Sequence, residues 1–138
     1  GRLVSLDHDA GYAARSQEIA SLHRDEMAPT EIRVAPLTPL LLGTEEYLWY
    51  SRDALEDVTQ IDMLIIDGPP GNTGPLARYP ALPVLIDRLA DGALVVLDDA
   101  TRDDERITVE RWLAEFERIV PQSSPISRLA VFRYSAKK

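Results

Sequence analysis

The chain has 138 residues, of which 45% are hydrophobic and 28% charged, and it carries a formal net charge of -8 with no cysteine. That length suits a single domain able to bury roughly two thirds of the surface its unfolded form exposes. The acidic balance argues against a nucleic-acid groove, which needs clustered Lys and Arg. Absence of cysteine excludes disulfides, zinc–thiolate centres and thiol nucleophiles. No apolar run reaches the ~20 residues of a membrane span, and Gly1-Arg2-Leu3-Val4 lacks a signal-peptide layout. The expectation is a cytoplasmic protein without nucleic-acid or membrane partners.

In chain order, residues 2–6 read as a strand ending in Asp7-His8-Asp9. It starts almost at the first residue, so the expectation is that upstream sequence has been lost. Residues 12–25 predict an amphipathic helix with Tyr12, Ile19, Ala20 and Leu22 at helical spacing, broken by Pro29. Residues 31–35 alternate as a short strand stopped by Pro36. Residues 37–50 form a dense apolar and aromatic patch around Gly43 without a readable period, suited to core or to an interface. A helical turn over 52–58 leads into a β-branched strand, 61–66.

The stretch 68–74 is turn-rich, and 71–77 is a candidate mobile lid over the adjoining site. A helix is predicted over 79–90 with Asp91-Gly92 as its stop, followed by a buried strand, 93–97. A further helix from Asp103 or Asp104 to about 120 offers Ile107, Trp112, Leu113, Phe116 and Ile119 as its apolar face. A loop over 121–125 and a closing strand over 128–134 complete the chain. Alternating strands and helices predict an α/β, doubly wound, mostly parallel sheet with helices on both faces.

Acids stand where the strands end. Asp67 follows the 61–66 strand, and Asp98 and Asp99 follow the 93–97 strand. In an open α/β sheet that rim is where ligands bind, and carboxylates gathered there repel one another unless a cation joins them. They suit a hard divalent ion such as Mg²⁺, with Asp67 and Asp98 as candidate catalytic groups. The structural alternative has Asp98 or Asp99 capping the next helix and Asp67 bonded to turn amides. Asp7 either accepts hydrogen bonds from the ribose of a nucleoside cofactor or, with Asp9, caps the first helix. His8 is a candidate general base or cofactor-edge group, and His23 a solvated one. Arg78 and Tyr79 either clamp an anionic substrate or, for Tyr79, pack at a helix start. Arg102 has the spacing to pair with Glu105. The 68–74 loop lacks both the G-x-G-x-x-G spacing and the lysine of a P-loop.

Four motifs in order, Leu-Val-Ser-Leu-Asp-His-Asp (3–9), Ile-Asp-Gly-Pro-Pro (66–70), Arg-Tyr-Pro-Ala-Leu-Pro (78–83) and Leu-Asp-Asp-Ala-x-Arg-x-x-Glu (97–105), with Trp112 beyond them, resemble small class I S-adenosylmethionine-dependent methyltransferases. The resemblance implies a Rossmann-like methyltransferase sheet whose first strand and glycine-rich turn precede Gly1. It further implies Asp7, with His8 and Asp67, on the S-adenosylmethionine side. Asp67, Asp98 and Asp99 would be metal ligands of the catechol O-methyltransferase type, and Arg78, Tyr79 and Arg102 would lie on the substrate side. The implied reaction is O-methylation of a small-molecule or sugar hydroxyl. Two departures stand out: Asp98-Asp99 replaces the Asp-Asn of the catechol type, and the chain beyond 120 is short for the final antiparallel hairpin. The alternative is an inactive methyltransferase-fold binding or assembly module, with a second copy of the chain as candidate partner through the aromatic patch at 47–50.

Overall fold

Strands β1 (Leu3–Asp7) and β2 (Thr30–Val34) pair in parallel, from Leu3 opposite Thr30 to Asp7 opposite Val34. Parallel neighbours need a crossover, and α1 (Ala10–Leu22) supplies it. These elements belong to the computed structural model of the chain, which describes residues 1–137 and divides into two compact units, Gly1–Asp57 and Val58–Lys138.

Helix α1 begins where Asp9 accepts a hydrogen bond from the Tyr12 N–H at 2.9 Å. It ends at Leu22, short of the predicted residue 25, with His23 as its cap. The expected apolar face is not the buried one. Tyr12, Ile19 and Leu22 are 62%, 61% and 79% exposed, whereas Ala13 is buried. Small and polar positions face the strands instead. Ala13, Gln17 and Ala20 share that side of the helix, and Gln17 Oε1 accepts from the Ile32 N–H.

The patch at 37–50 is an antiparallel hairpin, β3 (Leu37–Leu42) with β4 (Glu45–Tyr50). Leu42 opposes Glu45, so Gly43-Thr44 is a two-residue turn, and Gly43 has the positive φ (62°) such turns demand at their first position. Leu40, Tyr47 and Trp49 are buried while Leu41 and Leu48 are exposed, a strand period that the two short apolar clusters conceal. A 3-10 turn, Arg52–Leu55, follows. Arg33 then ties β2 to this segment by donating to Ala54 O and to both carboxylate oxygens of Asp57.

The second unit holds a four-stranded mixed sheet in the order β5 (Ile61–Ile66), β6 (Leu89–Leu97), β8 (Ala130–Tyr134), β7 (Ile119–Gln122). β5 and β6 are parallel; β6–β8 and β7–β8 are antiparallel. The helix expected over 79–90 contracts to α2 (Ala81–Leu85) and a 3-10 turn, Ile86–Arg88. β6 starts correspondingly early. Ile61 opposes Leu89 but Met63 opposes Leu94, so residues 90–93 loop out and Gly92 adopts φ 83°. Asp91-Gly92 is therefore an irregularity within a strand, not a helix stop.

Helix α3 (Asp103–Glu115) also ends before the predicted residue 120. Ile119 and Val120 belong to β7, an edge strand, where Pro121 is tolerated because no interior ladder needs its missing N–H. A closing antiparallel pair, β7–β8, is thus present where the sequence reads as too short for one.

The core of this unit gathers around Trp112, which is fully buried, donates from Nε1 to Tyr79 O at 3.0 Å, and meets Phe132 edge-on at 6.2 Å. Val95, Leu97, Leu82 and Ile119 of the same unit are likewise buried. Strand β5 is not buried on both faces as its composition suggests. Ile66 is 4% exposed, but Met63 and Ile65 are 52% and 62% exposed.

Candidate functional site

Parallel pairing with Ile66 opposite Leu97 places Asp67 and Asp98 side by side at one rim of the sheet. Asp99 follows with φ 55°, a left-handed conformation that aspartate tolerates better than most residues. One carboxylate oxygen each from Asp67, Asp98 and Asp99 lies within 4.8 Å of the others, so the three acids do come together. Their access differs: the Asp67 side chain is 68% exposed, that of Asp98 21% and that of Asp99 28%.

Neither structural alternative accounts for them. The cap position of α3 is Arg102, and no side chain bonds there, so Asp98 and Asp99 are not caps. Among the described residues Asp67 makes no bond to turn amides; its neighbour is Arg78 at 3.8 Å. Asp98 Oδ1 instead accepts from the Asp99 N–H at 2.7 Å and from Arg128 Nε at 3.1 Å.

Like charges this close need compensation, and here guanidinium groups provide it. Arg78 is 5% exposed and turned inward. It donates to the backbone oxygens of Asp67, Pro69 and Asp98 and to Asp99 Oδ2 at 3.2 Å. Arg102 lies 3.5 Å from Asp99, and Arg128 pairs with Asp98. The sequence pairs Arg102 with Glu105; the structure gives Arg102 to Asp99 and buries Glu105 facing Arg78 at 3.9 Å. Glu105 and Arg128 are the members of this network that spacing did not assign to it. An acid inside a helix reads as solvated from sequence, and Arg128 reaches Asp98 only because β8 lies antiparallel beside β6.

Tyr79, expected near a substrate, is 5% exposed and packed at the start of α2. Its hydroxyl donates to Glu115, and the Arg111 guanidinium lies 4.0 Å from its ring centre. The segment before it is anchored rather than free. Leu76, at φ 51°, donates its N–H to Asp104 at 3.0 Å, and residues 77–80 are buried. The expected lid over 71–77 therefore has one end fixed to α3.

In the first unit, Asp7 closes β1. Its Oδ1 accepts from the Asp9 N–H at 2.9 Å and lies 3.9 Å from His8 Nδ1. Capping is done by Asp9 alone, which leaves Asp7 at the strand end with a partly exposed carboxylate. His23 sits at the end of α1 beside Glu26, 3.6 Å away.

Three carboxylate oxygens gathered within 4.8 Å of one another form a hard, oxygen-only donor set of the kind a divalent ion such as Mg²⁺ takes. The donors fit such an ion. Among the described residues no helix is long and apolar enough to cross a membrane.

No protein-family model and no curated protein matches this sequence. A solved structure does: a methyltransferase from Geobacter sulfurreducens, with a TM-score of 0.62 and 14% sequence identity over 99% of this chain. The chain covers 59% of that protein. At that identity the likeness establishes the fold alone: this chain has a mixed α/β fold of the kind found in a methyltransferase.

Proposed function

We propose that this chain carries the site of an S-adenosylmethionine-dependent methyltransferase that acts on a hydroxyl of a small molecule with help from a divalent ion. The observation that supports it most is the convergence of Asp67, Asp98 and Asp99 at the ends of two parallel strands. The assignment to the class I, Rossmann-like, doubly wound type belongs to the same proposal. It draws on the two parallel ladders, each joined by a helical connection.

In this reading Asp7 and His8 bind the cofactor ribose. The exposed carboxylate edge of Asp7 is suited to accept from two hydroxyls. S-adenosylmethionine, when bound, supplies an electrophilic methyl group for in-line transfer. Asp67, Asp98 and Asp99 would hold a divalent ion such as Mg²⁺, which when bound orients an acceptor hydroxyl and lowers its pKa. Asp67 is the most open of the three acids, which supports it as the group that would receive the proton the hydroxyl loses. Such a transfer would form an oxygen–carbon bond as the carbon–sulfur bond of the cofactor broke, so the positioning these residues would provide would supply much of the rate. Arg102, exposed beside Asp99, is the remaining candidate for contact with the acceptor.

Titration calorimetry with S-adenosylmethionine on an intact, longer parent of this chain tests the cofactor side. Binding is expected, and Asp7→Ala is expected to weaken it at least tenfold; absence of binding, or equal affinity in the variant, overturns the reading. On the acceptor side, Asp67→Asn or Asp98→Asn is expected to abolish metal-stimulated transfer. Full activity in excess chelator would remove the metal from the scheme.

A second reading, a methyltransferase-fold binding or assembly module without activity, is favoured by the apolar groups left in water. These are Tyr12, Ile19 and Leu22 on α1 and Met63 and Ile65 on β5. Concentration-dependent self-association without cofactor binding would favour it.

A further inference from the structure

We propose that Arg78 is the resident counter-cation of the acid cluster, a positioning residue that holds the rim together and competes with a divalent ion for its carboxylates. This rests on the metal-assisted reading above and concerns what sets the affinity of that site.

Arg78 is a buried cation that the transfer chemistry does not use. A guanidinium removed from water needs its donors satisfied and its charge matched. Both conditions are met here by the two strand ends. Nη2 donates to Asp67 O at 3.0 Å, Nη1 to Asp98 O at 3.1 Å and Asp99 Oδ2 at 3.2 Å, and Nε to Pro69 O at 3.4 Å. The Asp67 and Glu105 carboxylates stand 3.8 and 3.9 Å away. One side chain thus holds the backbone after β5 and after β6 and faces two of the three acids.

That placement has two opposite consequences for a cation. By pinning the backbone, Arg78 keeps the acids close together, which favours ion binding. By placing a positive charge beside Asp67 and Asp99, it weakens their attraction for an incoming ion. The electrostatic effect dominates in this proposal, because the strand ladder itself already brings Asp67 and Asp98 together through the Ile66–Leu97 pairing. The ion enters as the guanidinium gives up Asp99, and the arginine remains held by the backbone carbonyls. In the ion-free state the cluster is kept from repelling itself apart.

The test is Mn²⁺ titration calorimetry on the full chain. Arg78→Gln, which removes the charge, is expected to bind Mn²⁺ at least about tenfold more tightly than the unsubstituted protein. Arg78→Lys keeps the charge without the fork and is expected to bind no more tightly than the unsubstituted protein. A purely structural arginine predicts the reverse, weaker binding in Arg78→Gln, and that result or an unchanged affinity overturns the proposal. If Arg78→Gln does not fold, NMR of the unsubstituted protein decides. The Arg78 Nη1–H resonance, whose group donates to Asp99 Oδ2 in the ion-free state, is expected to shift and to exchange faster with water as Mg²⁺ saturates the site, and an unmoved signal at saturation overturns the proposal. Failure of both proteins to bind either ion overturns it together with the metal-assisted part of the functional reading. Binding of S-adenosylmethionine judges the methyltransferase reading separately.

Discussion

Helices α1 and α3 are both thirteen residues long, and each follows a strand that ends in acids, yet they are held very differently. α3 buries Glu105, Thr108 and Trp112; α1 buries only Ala13. Behind Asp98 and Asp99, α3 fixes the segment 76–79 through Asp104, Glu115 and the indole of Trp112. Behind Asp7 there are local bonds, chiefly to Asp9, and a helix whose large apolar side chains face water. The lesson is that an acidic strand end becomes a rigid site when the helix after it carries interior side chains. Sequence similarity between two such strand ends does not confer equal rigidity.

The largest expected effect lies in α3. Trp112→Ala removes a fully buried ring, its hydrogen bond to Tyr79 O and its contact with Phe132. It is expected to cost about 3–5 kcal/mol in urea unfolding monitored by circular dichroism. A loss below about 1 kcal/mol would mean that α3 is not the anchor of its unit. Next comes the start of α1. Asp9→Ala deletes the cap on the Tyr12 N–H and is expected to cost about 1 kcal/mol, with increased hydrogen exchange confined to the first turn of the helix. Loss of protection throughout α1 would instead show that one cap holds the whole helix.

These two helices also show how far the sequence could be read. α1, β1, β2 and β5 lie within a few residues of their predicted ranges, because caps, prolines and β-branched runs act locally. The face that α1 turns inward was not legible, since the strands select Ala13 and Gln17 over larger apolar side chains. The end of α3 was misplaced for a related reason. Ile119 continues the helical period in sequence, but pairing with Tyr134 makes it a strand residue. At the site, the three acids were readable because strand ends are readable. Arg78 was readable as a member of the site but not as a partner of its acids, and Arg128 was not readable at all, because the two reach the rim from a loop and from beside a distant strand.

A smaller effect distinguishes the first unit by pH. Asp57 is held down from 3.8 to about 2, first by its hydrogen bond from Arg33. A depressed carboxyl favours the fold while it is ionised in both states, so its contribution is complete above about pH 4 and is lost as pH falls towards 2. Asp57 is exposed and Arg33 half-buried, so the contribution is modest and partly screened by salt. Denaturant titrations from pH 6 to 2 are expected to show a shallower acid loss in Asp57→Asn. Parallel profiles would mean that the pair adds nothing to folding.

The smallest expected effect is the most direct test of the contrast between the helices. Ile19→Gln and Leu22→Gln replace side chains that are 61% and 79% exposed, so little apolar surface returns to water on unfolding. Each is expected to change stability by no more than about 0.5 kcal/mol, in line with substitutions at exposed sites. Glutamine is as good a helix former as leucine and better than isoleucine, so propensity does not mask the result. A loss of about 1 kcal/mol or more in either variant would mean that this face is covered in solution. The contrast with α3 would then be one of partners, with α3 packed inside its own unit and α1 packed against something else. A null result keeps it a contrast of anchoring, in which the helix that follows Asp7 is attached mainly through its cap and Ala13.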